Sequence, residues 1–225
     1  MFQTVIKFIE AGGFWVLPIL FIGAIGIGIT IERYIKLQRA ESQNRKMWDK
    51  LQPVLQAGDF DTAREMTTSD KSYVSQLLSV GFERQGVVRR REDFEIAMDE
   101  VMMSIVPQLE KRTPYTALFA NLAMLMGLLG TILGLISAFA AVAHAAPSEK
   151  SALLSGSISE AMSCTAIGLI VAIPMLSANL FLNLKAGTII DSLEMASLKT
   201  VNVISAFAAK NRNQQAPGHG EKTTS

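Results

Sequence analysis

Three stretches of this chain contain almost no charged residues over lengths that suit a membrane crossing. Residues 14–31 and 116–148 contain no Asp, Glu, Lys or Arg, and residues 151–184 contain Glu160 alone. At a rise of about 1.5 Å per helical residue, the 18 residues of the first stretch span roughly 27 Å, close to a bilayer's hydrocarbon core. The missing charge excludes an ordinary soluble fold for these stretches and predicts three transmembrane helices.

Cysteine, the alternation of polar and apolar residues typical of β-strands, and an excess of charge of one sign are also scarce. The single cysteine, Cys164, can form no intramolecular disulfide, and we interpret it as a small packing residue. Residues 32–115 carry 14 basic and 14 acidic side chains, so this charged but balanced region is not a nucleic-acid patch. Its apolar residues recur at helical rather than alternating spacing, which disfavours an independent enzyme domain and predicts helices that extend the spans.

The orientation follows from the basic residues, which are held on the cytoplasmic side of a membrane. Eight of them flank the three spans on one side, whereas the other side has Lys7 and Lys150 alone. We therefore expect the N-terminus and the loop between the second and third spans outside, and the middle region and C-terminus in the cytoplasm. No small-x-small cleavage pattern follows the first span, so we expect it to be retained rather than removed as a signal peptide.

These features predict an all-α integral membrane protein. Gly58 divides the cytoplasmic region, and Asp59 or Asp61 after it is predicted to cap the next helix. We interpret Arg89–Arg91 as the solvated start of another helix, with a binding site for anionic lipid as the alternative. The predicted segments are an interfacial N-terminal helix (1–13), transmembrane helix 1 (14–31), a cytoplasmic helical region (32–115), transmembrane helix 2 (116–143), an outer loop (144–157), transmembrane helix 3 (158–184), a cytoplasmic helix (185–210) and a disordered tail (211–225).

Glu160 is the most informative residue, because a carboxylate at membrane depth usually marks an ion path, a proton relay or a buried ion pair. The ion-pair alternative lacks a partner here, since the three spans contain no Lys, Arg or His. A deep Glu160 must therefore be neutral part of the time, be hydrated, or meet a partner from another chain. Each of these options suits an ion pathway.

Small and hydroxylated residues accompany Glu160. Thr131, Ser163 and Thr165 could each bond to their own backbone, but beside an unpaired carboxylate we interpret them as a polar lining of the pathway. Small residues recur at spacings that let helix backbones approach closely, which is how helices associate in lipid. The predicted packing positions are Gly127, Gly130, Gly134, Ala161, Gly168 and Ala172.

Two motifs carry a resemblance to a known family. The third span reads Ile158-x-Glu160-Ala-Met-x-x-Thr165-Ala-x-Gly168-Leu-x-x-Ala172-Ile-Pro174, and the second contains Gly127-Leu-Leu-Gly130-Thr131-x-x-Gly134. Together with Ile31-Glu32-Arg33, they resemble the MotA/TolQ/ExbB proton-channel family, and its ExbB and TolQ branches most closely. The resemblance extends from about residue 14 to residue 205. One departure is Met124, where many relatives have proline.

The resemblance implies a homopentameric ring that encloses a dimer of single-span partners similar to ExbD or TolR, in a bacterial inner membrane. It implies that proton-motive force drives motion that reaches an envelope target through a TonB- or TolA-like protein, for uptake or for Tol-type maintenance. By correspondence, Glu160, Thr131 and Thr165 match the family's polar pore residues, and Ser163 is added as a candidate. We expect H⁺ rather than Na⁺ as the transported ion, and no cofactor, metal or enzyme activity.

Three alternatives remain open. A flagellar or surface-motility stator subunit belongs to the same family, but MotA-type stators usually have four spans and lack the Glu of the third. An intramembrane protease would need a nucleophile beside a base, and Ser157 and His144 lie in or near the outer loop without a supporting motif. A solute-transport subunit would need more spans or repeats than the chain contains.

Overall fold

The computed structural model describes residues 13–83 and 91–215, and every regular element in these ranges is an α-helix. The prediction of an all-α protein is therefore confirmed for the described residues. The predicted interfacial helix lies outside them except for Gly13, and so does the tail beyond Gln215. The helices are α1 (Val16–Ala57), α2 (Phe60–Ser69), α3 (Tyr73–Glu83), α4 (Arg91–Glu110), α5 (Thr113–His144) and α6 (Lys150–Gln215).

Three helical stretches are long and apolar enough to cross a membrane, and they lie in α1, in α4 with α5, and in α6. The helices continue well beyond the apolar stretches. Thus α1 extends to Ala57 and α6 to Gln215, past the position at which we predicted the tail to begin. Most of their apolar side chains are exposed on the isolated chain, so lipid or other chains must cover them.

The described residues form two compact units, and the first holds the three apolar stretches. This membrane unit comprises residues 13–36 and 110–185. Its core contains one cluster of Val16, Ile19, Ala123, Cys164 and Ile167 and a second of Ala120, Ala172 and Met175. Residues from all three predicted spans meet in the first cluster, so each span packs against the others within a single chain.

The second unit comprises residues 37–109 and 186–215. The side chain of Asp59 caps α2 by accepting a hydrogen bond of 3.1 Å from the backbone N–H of Thr62, which confirms one of the two predicted caps. The Thr62 hydroxyl donates a second bond to this carboxylate, and the two bonds lower the pKa of Asp59. Several of the apolar residues that recur at helical spacing are buried in this unit, including Leu51, Leu77 and Met98, each with no more than 2% exposure.

Arg112, in the break between α4 and α5, has a left-handed backbone with φ of 67°. Its guanidinium donates hydrogen bonds of 2.9 and 3.1 Å to the two carboxylate oxygens of Glu32 on α1. Lys36 bonds to the same carboxylate, and this hydrogen bond, with the positive charge of Arg112, holds the pKa of Glu32 below its usual value. The break before the second span is thus tied to the end of the first.

A comparison of Arg112→Gly with Arg112→Ala tests this backbone geometry. Both variants lose the contact with Glu32, but only glycine adopts a left-handed conformation without a steric cost. We expect the alanine variant to be less stable than the glycine variant by about 1 kcal/mol. Reversible unfolding in mixed micelles measures the difference, and equal stability of the two variants would show that the left-handed conformation is not maintained.

Candidate ion pathway

Helices α5 and α6 cross at two glycines that bring their backbones into contact. A Cβ atom built on Gly127 would lie 3.1 Å from the Cys164 carbonyl oxygen and 3.2 Å from the Cα of Gly168. A Cβ built on Gly168 would lie 2.8 Å from the carbonyl oxygen of Ala123. At Gly168 a side chain would force the opposite backbone to move, and at Gly127 even a methyl group would need the backbone of α6 to shift by a few tenths of an ångström.

The other predicted packing residues continue this contact along the two helices. A Cβ on Gly130 would lie 2.5 Å from the Sγ of Cys164, and one on Gly134 would lie 3.0 Å from the Cβ of Ala161. Ala161 and Ala172 are each 1% exposed. The structure therefore places all six predicted packing positions in helix contacts within one chain.

Thr131 and Thr165 face each other beside the glycine crossing, and their hydroxyl oxygens are in hydrogen-bond contact. Each hydroxyl also lies 3.1 Å from the carbonyl oxygen of Gly127, and Thr131 Oγ1 lies 3.3 Å from the carbonyl oxygen of Ala161. We call these two side chains the threonine pair. The absent side chain of Gly127 leaves its carbonyl oxygen accessible to both hydroxyls.

The threonine pair can hold its protons in two arrangements. A hydroxyl donates one hydrogen bond and can accept two, so either threonine can donate to the other while the acceptor donates to a backbone carbonyl. Gly127 offers that carbonyl to both residues. The pair is therefore a reorientable hydrogen-bonded link between α5 and α6.

Ser163 is not brought to the threonine pair. Its hydroxyl donates a bond of 2.8 Å to the carbonyl oxygen of Ser159, one turn earlier on the same helix. This is the own-backbone bond that an isolated serine in a membrane helix can make. Nothing in the geometry of the described residues links Ser163 to an ion, so its place in the pathway stays a prediction.

Glu160 lies on a different face of α6 from Thr165, because five residues correspond to a rotation of about 140°. Its carboxyl group is beside Gly13, at the start of α1, and the side chain is exposed on this chain. Among the described residues, no hydrogen bond or ion pair to its carboxylate is found. Along the helix axis, the threonine pair lies roughly 7.5 Å beyond Glu160, away from the loop that joins α5 to α6.

The depth of Glu160 follows from the register of α1 against α6. Gly23 and Gly26 lie against Val171 and Met175, so the two helices run parallel and Gly13 is level with Glu160. The uncharged stretch of the first span begins at the next residue, Phe14. Glu160 is therefore at the loop end of the apolar stretches rather than at their middle.

Polar groups that the sequence analysis did not single out lie at the opposite end of the seam between α5 and α6. Asn179 donates a hydrogen bond of 2.8 Å to the carbonyl oxygen of Thr113. The hydroxyls of Thr113 and Thr116 are buried and have no hydrogen-bond partner among the described residues. The sequence feature that could have identified these groups was Asn179 itself, a side-chain amide within an apolar run. The seam thus has polar groups at both ends and small apolar residues between them.

Comparisons with known proteins point to one family. A family model described as the MotA/TolQ/ExbB proton channel family matches residues 69–195, which include Glu160 and the threonine pair. A Synechocystis protein named as an ExbB-like biopolymer transport protein is 28% identical over 177 residues, which cover 77% of this chain and 83% of that protein. The Tol-Pal system protein TolQ of Haemophilus influenzae is 37% identical over 93 residues, 41% of this chain and 40% of TolQ.

Proposed function

The chain belongs to the MotA/TolQ/ExbB proton channel family, and from this premise we propose that it is the proton-conducting subunit of a membrane motor of the ExbB/TolQ type. The motor couples proton-motive force to force transfer in the cell envelope. The observation that carries the proposal is the threonine pair, a reorientable polar link, on the same helix as the one acidic residue between Lys150 and Lys185.

The proposed path begins at Glu160 and continues to the threonine pair, and water or a group from another chain must bridge the gap, because the two lie on different faces of α6 and roughly 7.5 Å apart along its axis. A carboxyl group can accept a proton at the loop end of the spans and release it again, and the hydroxyls offer the next polar stop along α6. Among the described residues, no cationic side chain pairs with Glu160, so its carboxylate is left for a proton or for a group on another chain. A single titrating group suffices for H⁺, whereas Na⁺ needs several oxygen ligands at once, and we therefore propose H⁺.

Partners complete the proposed motor. The exposed apolar faces of the membrane unit support assembly with further copies, for which we propose a pentamer, and with a dimer of single-span partners of the ExbD or TolR type. A TonB- or TolA-like protein would receive the force. We propose a bacterial inner membrane as the location of the chain, and the distribution of basic residues supports an orientation with the loop between α5 and α6 outside and the C-terminus in the cytoplasm. Thiol labelling of a loop cysteine from outside, in a Cys164→Ala background, tests this orientation.

Proton flux into vesicles tests the proposal. The chain is reconstituted with and without a single-span partner encoded beside it, and an imposed potential drives uptake in sodium-free buffer. We expect flux with the partner present and little without it, because the partner supplies the rest of the path. Envelope function in cells should collapse with a protonophore. Activity that requires sodium, or that is complete without any partner, would contradict the proposal.

Replacing either threonine with valine tests whether the threonine pair is part of the proton path. Thr131→Val and Thr165→Val keep the shape of the side chain but remove the hydroxyl, and we expect each to reduce flux about tenfold, the equivalent of one hydrogen bond. The double variant should lose more, because it removes both hydroxyls from the carbonyl of Gly127. Thr30→Val is the matched control, since the Thr30 hydroxyl bonds only within α1, to Gly26, at 2.8 Å. Equal flux in all four variants would exclude the threonine pair from the path.

A further inference from the structure

Gly13 occupies a position at which a side chain would meet the carboxyl group of Glu160. It precedes α1 and has φ of 62°, a left-handed conformation that glycine adopts without steric cost. A Cβ atom built on Gly13 would overlap the Oε1 of Glu160 and lie 3.2 Å from its Cδ and 3.7 Å from its Cγ. The whole carboxyl end of Glu160 thus lies over the space where any other residue would carry its side chain.

The packing between α1 and α6 sets this contact. Cys164 and Ile167 of α6 share a buried cluster with Val16 and Ile19 of α1, directly below the level of Gly13. Deeper in the unit, Gly23 lies against Val171. Because the buried side chains fix the register of the two parallel helices, Glu160 and Gly13 are held at the same level.

We propose that Gly13 is a positioning residue for Glu160, because its missing side chain and left-handed turn create the space that the carboxyl group occupies at the loop end of the proton path. The inference rests on the proposed function and deepens it, since it assigns the geometry of the titrating group to the first span. The first span thereby acts on proton transfer through Glu160, without itself contributing a titrating side chain.

Proton flux through the partner-containing complex tests the proposal in two backgrounds. Gly13→Ala should reduce flux at least tenfold, because the new methyl group displaces the carboxyl group. In a Glu160→Asp background, the shorter side chain withdraws from the methyl group, so the Gly13→Ala substitution should change flux less than twofold relative to Glu160→Asp alone. Gly28→Ala, within α1, is the control, since a Cβ at Gly28 would have no neighbour within 4 Å.

An equal loss of flux in the wild-type and Glu160→Asp backgrounds would overturn the proposal, because strain of the turn alone acts regardless of side-chain length. Gly13→Asn separates these effects further. Asparagine tolerates the left-handed conformation, so Gly13→Asn should have more flux than Gly13→Ala if backbone strain causes the loss of flux. If overlap with the carboxyl group causes the loss, Gly13→Asn should have as little flux as Gly13→Ala. Failure of the positioning role is distinguishable from failure of the proposed function, since in the latter case Glu160→Gln itself would leave flux unchanged.

A proximity measurement keeps the proposal testable if Gly13→Ala does not accumulate. In a Cys164→Ala background, the double variant Gly13→Cys and Glu160→Cys should form an intramolecular disulfide on mild oxidation, because the built Cβ of Gly13 lies within reach of the Glu160 side chain. The pair Gly28→Cys and Glu160→Cys should not. Alkylation and mass spectrometry count the remaining thiols, and two free thiols in the first variant would overturn the proposal.

Discussion

Leucine at Gly168 or Gly127 is expected to prevent the chain from accumulating as a folded subunit. Both positions face backbone atoms of the opposite helix, and a Cβ at Gly168 would already lie 2.8 Å from the carbonyl oxygen of Ala123. Backbone cannot move aside as a flexible side chain can, so the two helices would have to separate. Separation would also break the bonds of the threonine pair to the carbonyl of Gly127.

For substitutions by alanine, we expect the same dependence on contact with backbone atoms. Overpacking of a well-packed contact costs about 1–3 kcal/mol, and we expect Gly168→Ala to lie at the upper end of this range. Gly130→Ala should cost less, because its Cβ would meet the Sγ of Cys164, a side-chain atom that can rotate away. Gly156→Leu is the matched control on the same helix, since a Cβ at Gly156 would have no neighbour within 4 Å.

Thermal unfolding in detergent and native mass measurement check these expectations together. The wild-type chain should be an oligomer in detergent before any partner is added. The Gly168→Leu variant should be lost or unfolded, whereas Gly156→Leu should resemble wild type. A Gly168→Leu variant that is a stable, folded monomer would show instead that this glycine contacts a neighbouring subunit.

The fold class could be predicted from local patterns. Uncharged runs indicated the three spans, and helical spacing indicated the cytoplasmic helices, on which Leu51, Leu77 and Met98 are buried in the structure. These predictions succeed because the type of a segment can be read from the composition and spacing of its own apolar residues. The continuation of α1 to Ala57 and of α6 to Gln215 was harder to predict, because a helix can continue across a change from apolar to polar residues.

The site was only partly accessible from the sequence. The resemblance singled out Thr131 and Thr165, and the structure brings them together, but it places Glu160 on another face of α6. No pattern pointed to Gly13, because its contact with Glu160 joins distant parts of the chain and depends on the register of two helices. The left-handed conformation of Arg112 was also hidden, since arginine rarely adopts it and Pro114 signals only that a helix begins nearby.

Glutamine at Glu160 is expected to abolish proton flux while leaving assembly intact. Glutamine keeps the size and hydrogen-bonding capacity of the side chain but cannot bind and release a proton. Because Glu160 is the only acidic residue between Lys150 and Lys185, no neighbouring carboxyl group on this helix can replace it. Glu160→Asp should retain part of the flux, since it titrates but its carboxyl group is withdrawn by one methylene.

The matched control for this substitution is Glu149→Gln, which removes an exposed carboxylate from the loop before α6. It changes the net charge by the same amount but lies outside the proposed path, so its flux should equal that of wild type. Native mass and thermal stability of both variants show whether any loss of flux results from a loss of the complex.

Proton flux through the partner-containing complex with Glu160→Gln is the most direct measurement of the central claim, that Glu160 carries the proton. We predict at least a hundredfold loss of flux, with wild-type mass, wild-type stability and unchanged flux in Glu149→Gln. Wild-type flux in Glu160→Gln would contradict the claim and leave Glu160 a structural residue.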